Sequence, residues 1–367
     1  MQDTRTPVTI ITGFLGSGKT TLINHILTKL FTHSVVQYSP KGDHGRKICI
    51  IENEFGEVNI DNALVIDTIE EIFEMNNGCI CCNIRGDLVR VLDKIRKRKN
   101  KFDAIFIETT GLADPAPVAH TFFMDDGMKE SFRVDAIVTM VDCKHVMLAI
   151  NDDRPVGCLN EAERQLAFAD KLILNKVDLA TKDEKKEVLA CIKGVNPGVE
   201  ILECEYAKVD VEKILDARAF EFGKTLTAEL EARDAAGSGS DEEDHVHDTR
   251  VSSVGIVLDG ELDTEKFQEW LSKLLSEHGP DIFRSKGILA MHGTDEKLVF
   301  HGVHSILQFG SSTEGNVKAW EEDEPRVCRA VFIGKNLDRE ALDKGFRSCL
   351  AVVKPRSKEP KSKEPEA

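Results

Sequence analysis

One short stretch limits what this chain can fold into more than any other. "GFLGSGKT", Gly13 to Thr20, follows the apolar run "PVTIIT" and precedes the helical text "TLINHILTKL". It fits the pattern G-x-x-x-x-G-K-[ST] without a mismatch, in the strand-loop-helix setting that the pattern requires. The glycines let the backbone wrap around phosphates with its N–H groups pointing inward. The cradle runs through Gly13, Phe14, Leu15, Gly16, Ser17, Gly18, Lys19, Thr20 and Thr21. Lys19 is placed to reach the β and γ phosphates, and the Thr20 hydroxyl to bind Mg²⁺. A dinucleotide fingerprint does not fit, because no third glycine follows Gly16 and Gly18 at the required offset.

A phosphate loop of this kind implies an α/β domain with a mostly parallel sheet, and the text agrees. "KICIIE", "FDAIFIE", "VDAIVTMVD" and "DKLILN" are continuous apolar runs, as expected of strands covered on both faces. Helical patterns such as "LVRVLDKIRKR" separate them. This organisation fills residues 1–225. "DAAGSGSDEEDHVHD" then reads as an acidic flexible linker within 226–250, where His245 and His247 read as part of a solvated spacer. Residues 251–353 alternate strand and helix text in an α+β pattern with a mostly antiparallel sheet, and 354–367 repeat a Ser-Lys-Glu-Pro unit expected to be disordered.

Two further stretches complete a nucleotide site. In "AIFIETTGLADP" a hydrophobic strand ends in Glu108, and Gly111 follows. An acid at that point can hold Mg²⁺ or its water, and the Gly111 N–H can sense a γ-phosphate. Lys19, Thr20, Glu108 and Gly111 are therefore the candidates for phosphate chemistry. In "LILNKVD", Asn175, Lys176 and Asp178 form a guanine-reading pattern. The Asp178 carboxylate can accept from guanine N1–H and the 2-amino group; adenine offers neither donor, so GTP is the expected nucleotide. The backbone at Ala207, in "EYAKV", is a weaker candidate for a base contact.

The chain has ten cysteines, and only those of "NNGCICCNIRGD" are clustered. In an extended segment Cys79 and Cys81 share one face and Cys82 takes the other. Two thiolates leave a tetrahedral zinc ion short of ligands. The remainder can come from Cys82 after a turn, from "ENEFGE" around Glu54, from water or from another protein. An inert buried cluster and a redox pair are the alternatives. The seven scattered cysteines read as small buried hydrophobes.

With 64 acidic and 48 basic residues the net charge is -16, which argues against nonspecific nucleic-acid binding. No run approaches the roughly 18 apolar residues of a membrane helix. No signal peptide is apparent at the start, so the cytoplasm is the default compartment.

The ordered set "GFLGSGKT", "ENEFGEVNID", "GCICC", "ETTGLADP" and "NKVD" resembles the CobW-like GTPases, within them the zinc-regulated GTPase metalloprotein activators. The resemblance implies a small ferredoxin-like C-terminal domain. It also implies slow GTP hydrolysis coupled to delivery of zinc, or a similar transition metal, to a client metalloprotein. It places the metal on Cys79, Cys81 and Cys82, linked to switch elements around Glu54 and Gly111. Some eukaryotic members carry an N-terminal extension that docks a client; a dozen residues precede Gly13 here. A regulatory GTPase with a structural cysteine cluster and a zinc-storage or sensing protein are the competing expectations. The sequence does not fix the oligomeric state, a homodimer being one expectation.

Overall fold

A computed structural model describes residues 3–36, 47–52, 71–74, 84–98, 102–152, 160–219, 251–312, 317, 319–321 and 324–351. Among these, seven strands form one sheet: β1 (Thr6–Gly13), β2 (Ile48–Glu52), β3 (Glu71–Glu74), β4 (Ala104–Glu108), β5 (Phe132–Asp142), β6 (Lys171–Asn175) and β7 (Glu200–Glu203). Their order is β3-β2-β4-β1-β5-β6-β7, and every pairing is parallel. All eleven residues of β5 are buried, as a central strand covered on both faces must be. The two edge strands were not foreseen. "EIFE" and "EILE" are four residues long with glutamates at both ends, and short charged strands protect a sheet edge from further pairing.

Helices return the chain between these strands: α1 (Lys19–Val36), α2 (Ile84–Arg96), α3 (Ala116–Met124), α4 (Asp126–Ser131), α5 (Val146–Ile150), α6 (Glu161–Phe168) and α7 (Lys182–Val195). Their starts follow from local chemistry. Asn160 caps α6 by accepting from the N–H groups of Ala162 and Glu163. Thr181 and Glu184 close a reciprocal capping box on α7. The central strands β4, β1, β5 and β6 deliver their carboxyl ends to one edge, where ligands of open parallel sheets bind.

The second sheet has order β11-β10-β9-β12-β8 and is antiparallel throughout. Its strands are β8 (Val251–Asp259), β9 (Ile282–Ala290), β10 (Lys297–Val303), β11 (Ile306–Ser311) and β12 (Val327–Lys335); its helices are α8 (Thr264–His278) and α9 (Arg339–Ser348). Phe267, Phe300, Phe332 and Phe346 fill its core. The strand β11, "ILQFGS", has a Gly-Ser end that weakens its strand pattern in the sequence. Phe283, Val303, Ile333 and Val251 belong instead to an apolar cluster shared with Phe168, Phe122 and Leu166 of the first sheet's helices. The two sheets are thus joined by a continuous apolar seam.

Candidate functional site

The phosphate loop leaves β1 and enters α1 with Gly13, Gly16 and Gly18 all at positive φ. The glycine requirement is steric as well as torsional at Gly18, where a Cβ would lie 2.5 Å from the Asn175 amide nitrogen. Lys19 is buried, and its Nζ donates to the carbonyls of Gly13 (2.8 Å) and Phe14 (3.3 Å). Burial pushes its pKa down, partly offset by the nearby Glu108 charge. The Thr20 hydroxyl donates to Glu108 Oε1 at 3.3 Å, so the end of β4 and the start of α1 meet as the sequence anticipated. Two hard oxygen donors side by side suit Mg²⁺. Gly111 lies against the loop so closely that a Cβ would sit 2.8 Å from the Leu15 nitrogen. Phe14 is half-buried, while Leu15, Thr20 and Thr21 are exposed.

The loop after β6 is locked to the phosphate loop. Asn175, 2% exposed, donates from Nδ2 to Ser17 O at 3.0 Å. Its Oδ1 accepts from the Ala207 N–H at 2.9 Å and from the Cys204 thiol at 3.4 Å. The Ala207 N–H thus helps to orient Asn175. Burial raises the Cys204 pKa to about 11, keeping it a thiol that can donate. Lys176, at φ 61, donates to Gly16 O at 2.8 Å and pairs with Asp142 at 2.7 Å. Burial pushes the Asp142 carboxyl up, but hydrogen bonds from Lys176, His145 and the Lys144 backbone outweigh it and hold the pKa below the ordinary value. Asp178 is exposed, with its carboxylate open to a ligand.

Cys79, Cys81, Cys82 and Glu54 lie outside the described residues. Among the described residues no group of three His, Cys, Asp or Glu side chains is placed to hold a metal ion. Cys49, Cys143, Cys191, Cys204, Cys328 and Cys349 are buried thiols in no disulfide, as small hydrophobes should be, and Cys158 lies outside the described residues. His292 is exposed beside Glu261, and His301 is a buried strand residue. No described helix is long and apolar enough to cross a membrane.

The model of the CobW/HypB/UreG nucleotide-binding domain matches residues 7–203, which hold every described residue of this site except Cys204 and Ala207. The chain belongs to this family. The cobalamin synthesis protein cobW C-terminal domain model matches residues 251–350. The zinc-regulated GTPase metalloprotein activator 1 of Schizosaccharomyces pombe is 32% identical, over 91% of this chain and 83% of its own. The zinc chaperone YjiA of Escherichia coli is 30% identical, over 92% and 97%. The crystal structure of Zn(II)-bound YjiA GTPase from E. coli superposes with a TM-score of 0.70 at 26% identity, covering 95% of this chain and 100% of that one.

Within this CobW/HypB/UreG site, sequence reasoning missed Asp142 and Gln165. Asp142 had a readable signal: an acid ending a wholly buried strand that neighbours the phosphate-loop strand. Gln165 had none, because its role depends on a helix crossing behind the loop. Its side chain is 1% exposed and donates to Gly111 O at 3.1 Å and Ala113 O at 3.2 Å.

Proposed function

We propose that this chain is a GTP-hydrolysing metallochaperone that carries zinc, or a similar transition metal, to a client metalloprotein. The observation that carries the nucleotide half is the pair of ties from Asn175 to Ser17 and from Lys176 to Gly16, which join a guanine-reading loop to a phosphate cradle. Gly13 to Thr21 enclose the phosphates, and Asp178 selects guanine. Lys19 gives up its carbonyl partners for the β and γ phosphates, a short move for a flexible ammonium. Thr20 and Glu108 would hold Mg²⁺, which supplies charge neutralisation at the phosphates when bound. Gly111, packed against Leu15 of the phosphate loop, offers its N–H to sense the γ-phosphate.

The metal half rests on the composition of "GCICC" and on the relatives. Zinc is cargo here, taken by Cys79, Cys81 and Cys82 with Glu54 as a further ligand; soft thiolates favour it over Mg²⁺. Thiolate ligands must stay reduced, which the cytoplasm provides. The GTPase unit is assigned to 1–225, the linker to 226–250, the C-terminal domain to 251–353 and the tail to 354–367. A homodimer is the finer expectation for assembly, and light scattering on eluted protein decides it.

The test is a zinc titration of the protein empty, GDP-bound and GTP-bound. The expected coupling is about 5- to 150-fold in zinc affinity between nucleotide states, and zinc must shift GTP affinity by the same factor. Replacing Cys79, Cys81 and Cys82 together by Ser should remove the coupling and keep GTP binding. Equal zinc affinity in all three states would identify a store or sensor instead. Tight GTP binding with no zinc would identify a regulatory GTPase.

A further inference from the structure

We infer that Gln165 and Arg164, adjacent on α6, are positioning residues that tie the γ-phosphate-sensing loop to the C-terminal domain, so that the C-terminal domain helps set the geometry of hydrolysis. The inference rests on the GTPase reading above.

The loop Gly111–Asp114 follows β4, runs into α3 through the Ala116 N–H bond to Asp114, and is also held by side chains of α6. Gln165 donates to both Gly111 O and Ala113 O, which fixes two peptide planes of a loop that packs against the phosphate loop at Leu15. The Gln165 backbone carbonyl accepts from the Thr139 hydroxyl at 2.9 Å, anchoring the helix to β5. One residue earlier, Arg164 pairs with Asp114 at 2.6 Å. The same guanidinium lies over the ring of Phe283, 5.4 Å from its centre. Phe283 is a wholly buried residue of β9, in the other sheet. Arg164 therefore touches the sensing loop with its charge and the C-terminal domain with its face.

The far end of the helix is held by the same strand. Arg284 Nη1 donates to Phe168 O at 2.6 Å, and Arg284 and Lys286 both face the buried carboxylate of Asp170. Phe168 packs on Phe283 with ring centres 5.9 Å apart. An eight-residue helix gripped by β9 at its middle and at its C-terminal end cannot shift without moving Gly111 and Asp114. Rearrangement of that loop on GTP binding must in turn be felt at β9.

The experiment measures kcat and KM for GTP, GDP affinity and melting temperature on the full chain. The variants are Arg164→Met, Arg164→Lys, Gln165→Met, Phe283→Leu and the Arg164→Met/Phe283→Leu double. GDP lacks the γ-phosphate, so its affinity should not change. Gln165→Met should lower kcat by roughly 10- to 100-fold, the scale of a small misplacement at a reacting centre. Phe283→Leu, remote from nucleotide, should lower kcat by up to about 10-fold, and this effect should vanish in the Arg164→Met background. Arg164→Lys keeps the charge on Asp114 but loses the planar stack, and should fall between parent and Arg164→Met. If the buried-site variants fail to fold, Asp114→Asn, at a partly exposed position, carries the same kcat test. Additive losses in the cycle, or kcat, GDP affinity and melting temperature falling together, would overturn the inference by showing a merely structural role. Normal turnover in every variant would overturn it too. A parent that binds no GDP would instead refute the GTPase reading.

Discussion

The guanine-reading end and the seam between the two sheets are both dense polar networks, yet they are built to opposite ends. At the guanine-reading end the buried groups spend their hydrogen bonds on shaping backbone. Asn175 braces Ser17 and Ala207, and Asp142 braces Lys176, while the Asp178 carboxylate is left at the surface. At the seam the charges face one another. Asp170 is wholly buried, with Arg284 and Lys286 on one oxygen and the Ile137 N–H on the other. Phe168, Phe283 and His304 form an aromatic cluster in the same seam, with ring centres 5.4 to 5.9 Å apart. A ligand site holds its reading group outward on a braced frame; a joint closes its charges inward. Substitutions should therefore dissociate cleanly, with selectivity failing at one end and stability at the other.

The largest effect expected is at Asp178. Asp178→Asn replaces one acceptor by a donor facing guanine's own donors. The preference for GTP over ATP should fall on the order of 10⁴-fold, and xanthosine triphosphate, whose 2-oxo group accepts, should gain. Melting temperature should not move, because the side chain is exposed. Competition binding with the three nucleotides measures this, and equal binding of ATP and GTP by the parent would sink the guanine assignment.

Asp170→Asn should do the reverse. It leaves two buried cations facing a neutral amide, a loss of about 3–5 kcal/mol when one partner of a buried ion pair is removed. Denaturant unfolding should show that loss, while the GTP over ATP preference of the folded fraction stays intact. A variant as stable as the parent would mean that the seam is held by its aromatic contacts alone.

How much of this was visible beforehand differs between the same two regions. The guanine-reading end was legible because its chemistry is local: Gly13 to Thr20 and Asn175 to Asp178 are short runs whose residue types match the groups they meet. What escaped there was the bracing. Asp142 and Cys204 come from neighbouring strands, and only the parallel register brings them to Asn175 and Lys176. The seam left almost no trace. Nothing marked Arg284 and Lys286 in the sequence, and Asp170 read as the first residue of the strand run "DKLILN". Their burial follows from the packing of β9 on α6, a contact between residues more than a hundred positions apart. The main strands were legible from apolar runs, whereas β3 and β7 were not, because a four-residue edge strand has too few positions to show a pattern. Glu54, Cys79, Cys81 and Cys82 were read from composition, and their placement lies outside the described residues.

The smallest effect expected is a pH dependence confined to the seam. His301 is buried on β10, directly across from Lys286 on β9. Burial, then the charges of Lys286 and Arg284, push its pKa well below the ordinary histidine value, and Asp170 faces those two cations rather than neutralising the ring. His304, in the turn after β10, is also lowered, by burial first; Asp114 opposes this, while Arg164 and His120 add to it. A histidine with a depressed folded pKa binds fewer protons folded than unfolded between that pKa and about 6.5. Stability is then full above about pH 6.5 and is lost as pH falls below it, by up to about 1.4 kcal/mol per pH unit for each such group. Asp142 has a lowered carboxylate pKa, so its contribution is full above the ordinary carboxylate range and is lost only as pH falls through its lower folded value. Unfolding free energies at pH 7.0, 6.5 and 5.5, within roughly one unit of that threshold, should fall in the parent and fall less in His301→Gln. Parallel curves for the two proteins would show that the seam's acid sensitivity, if any, comes from elsewhere.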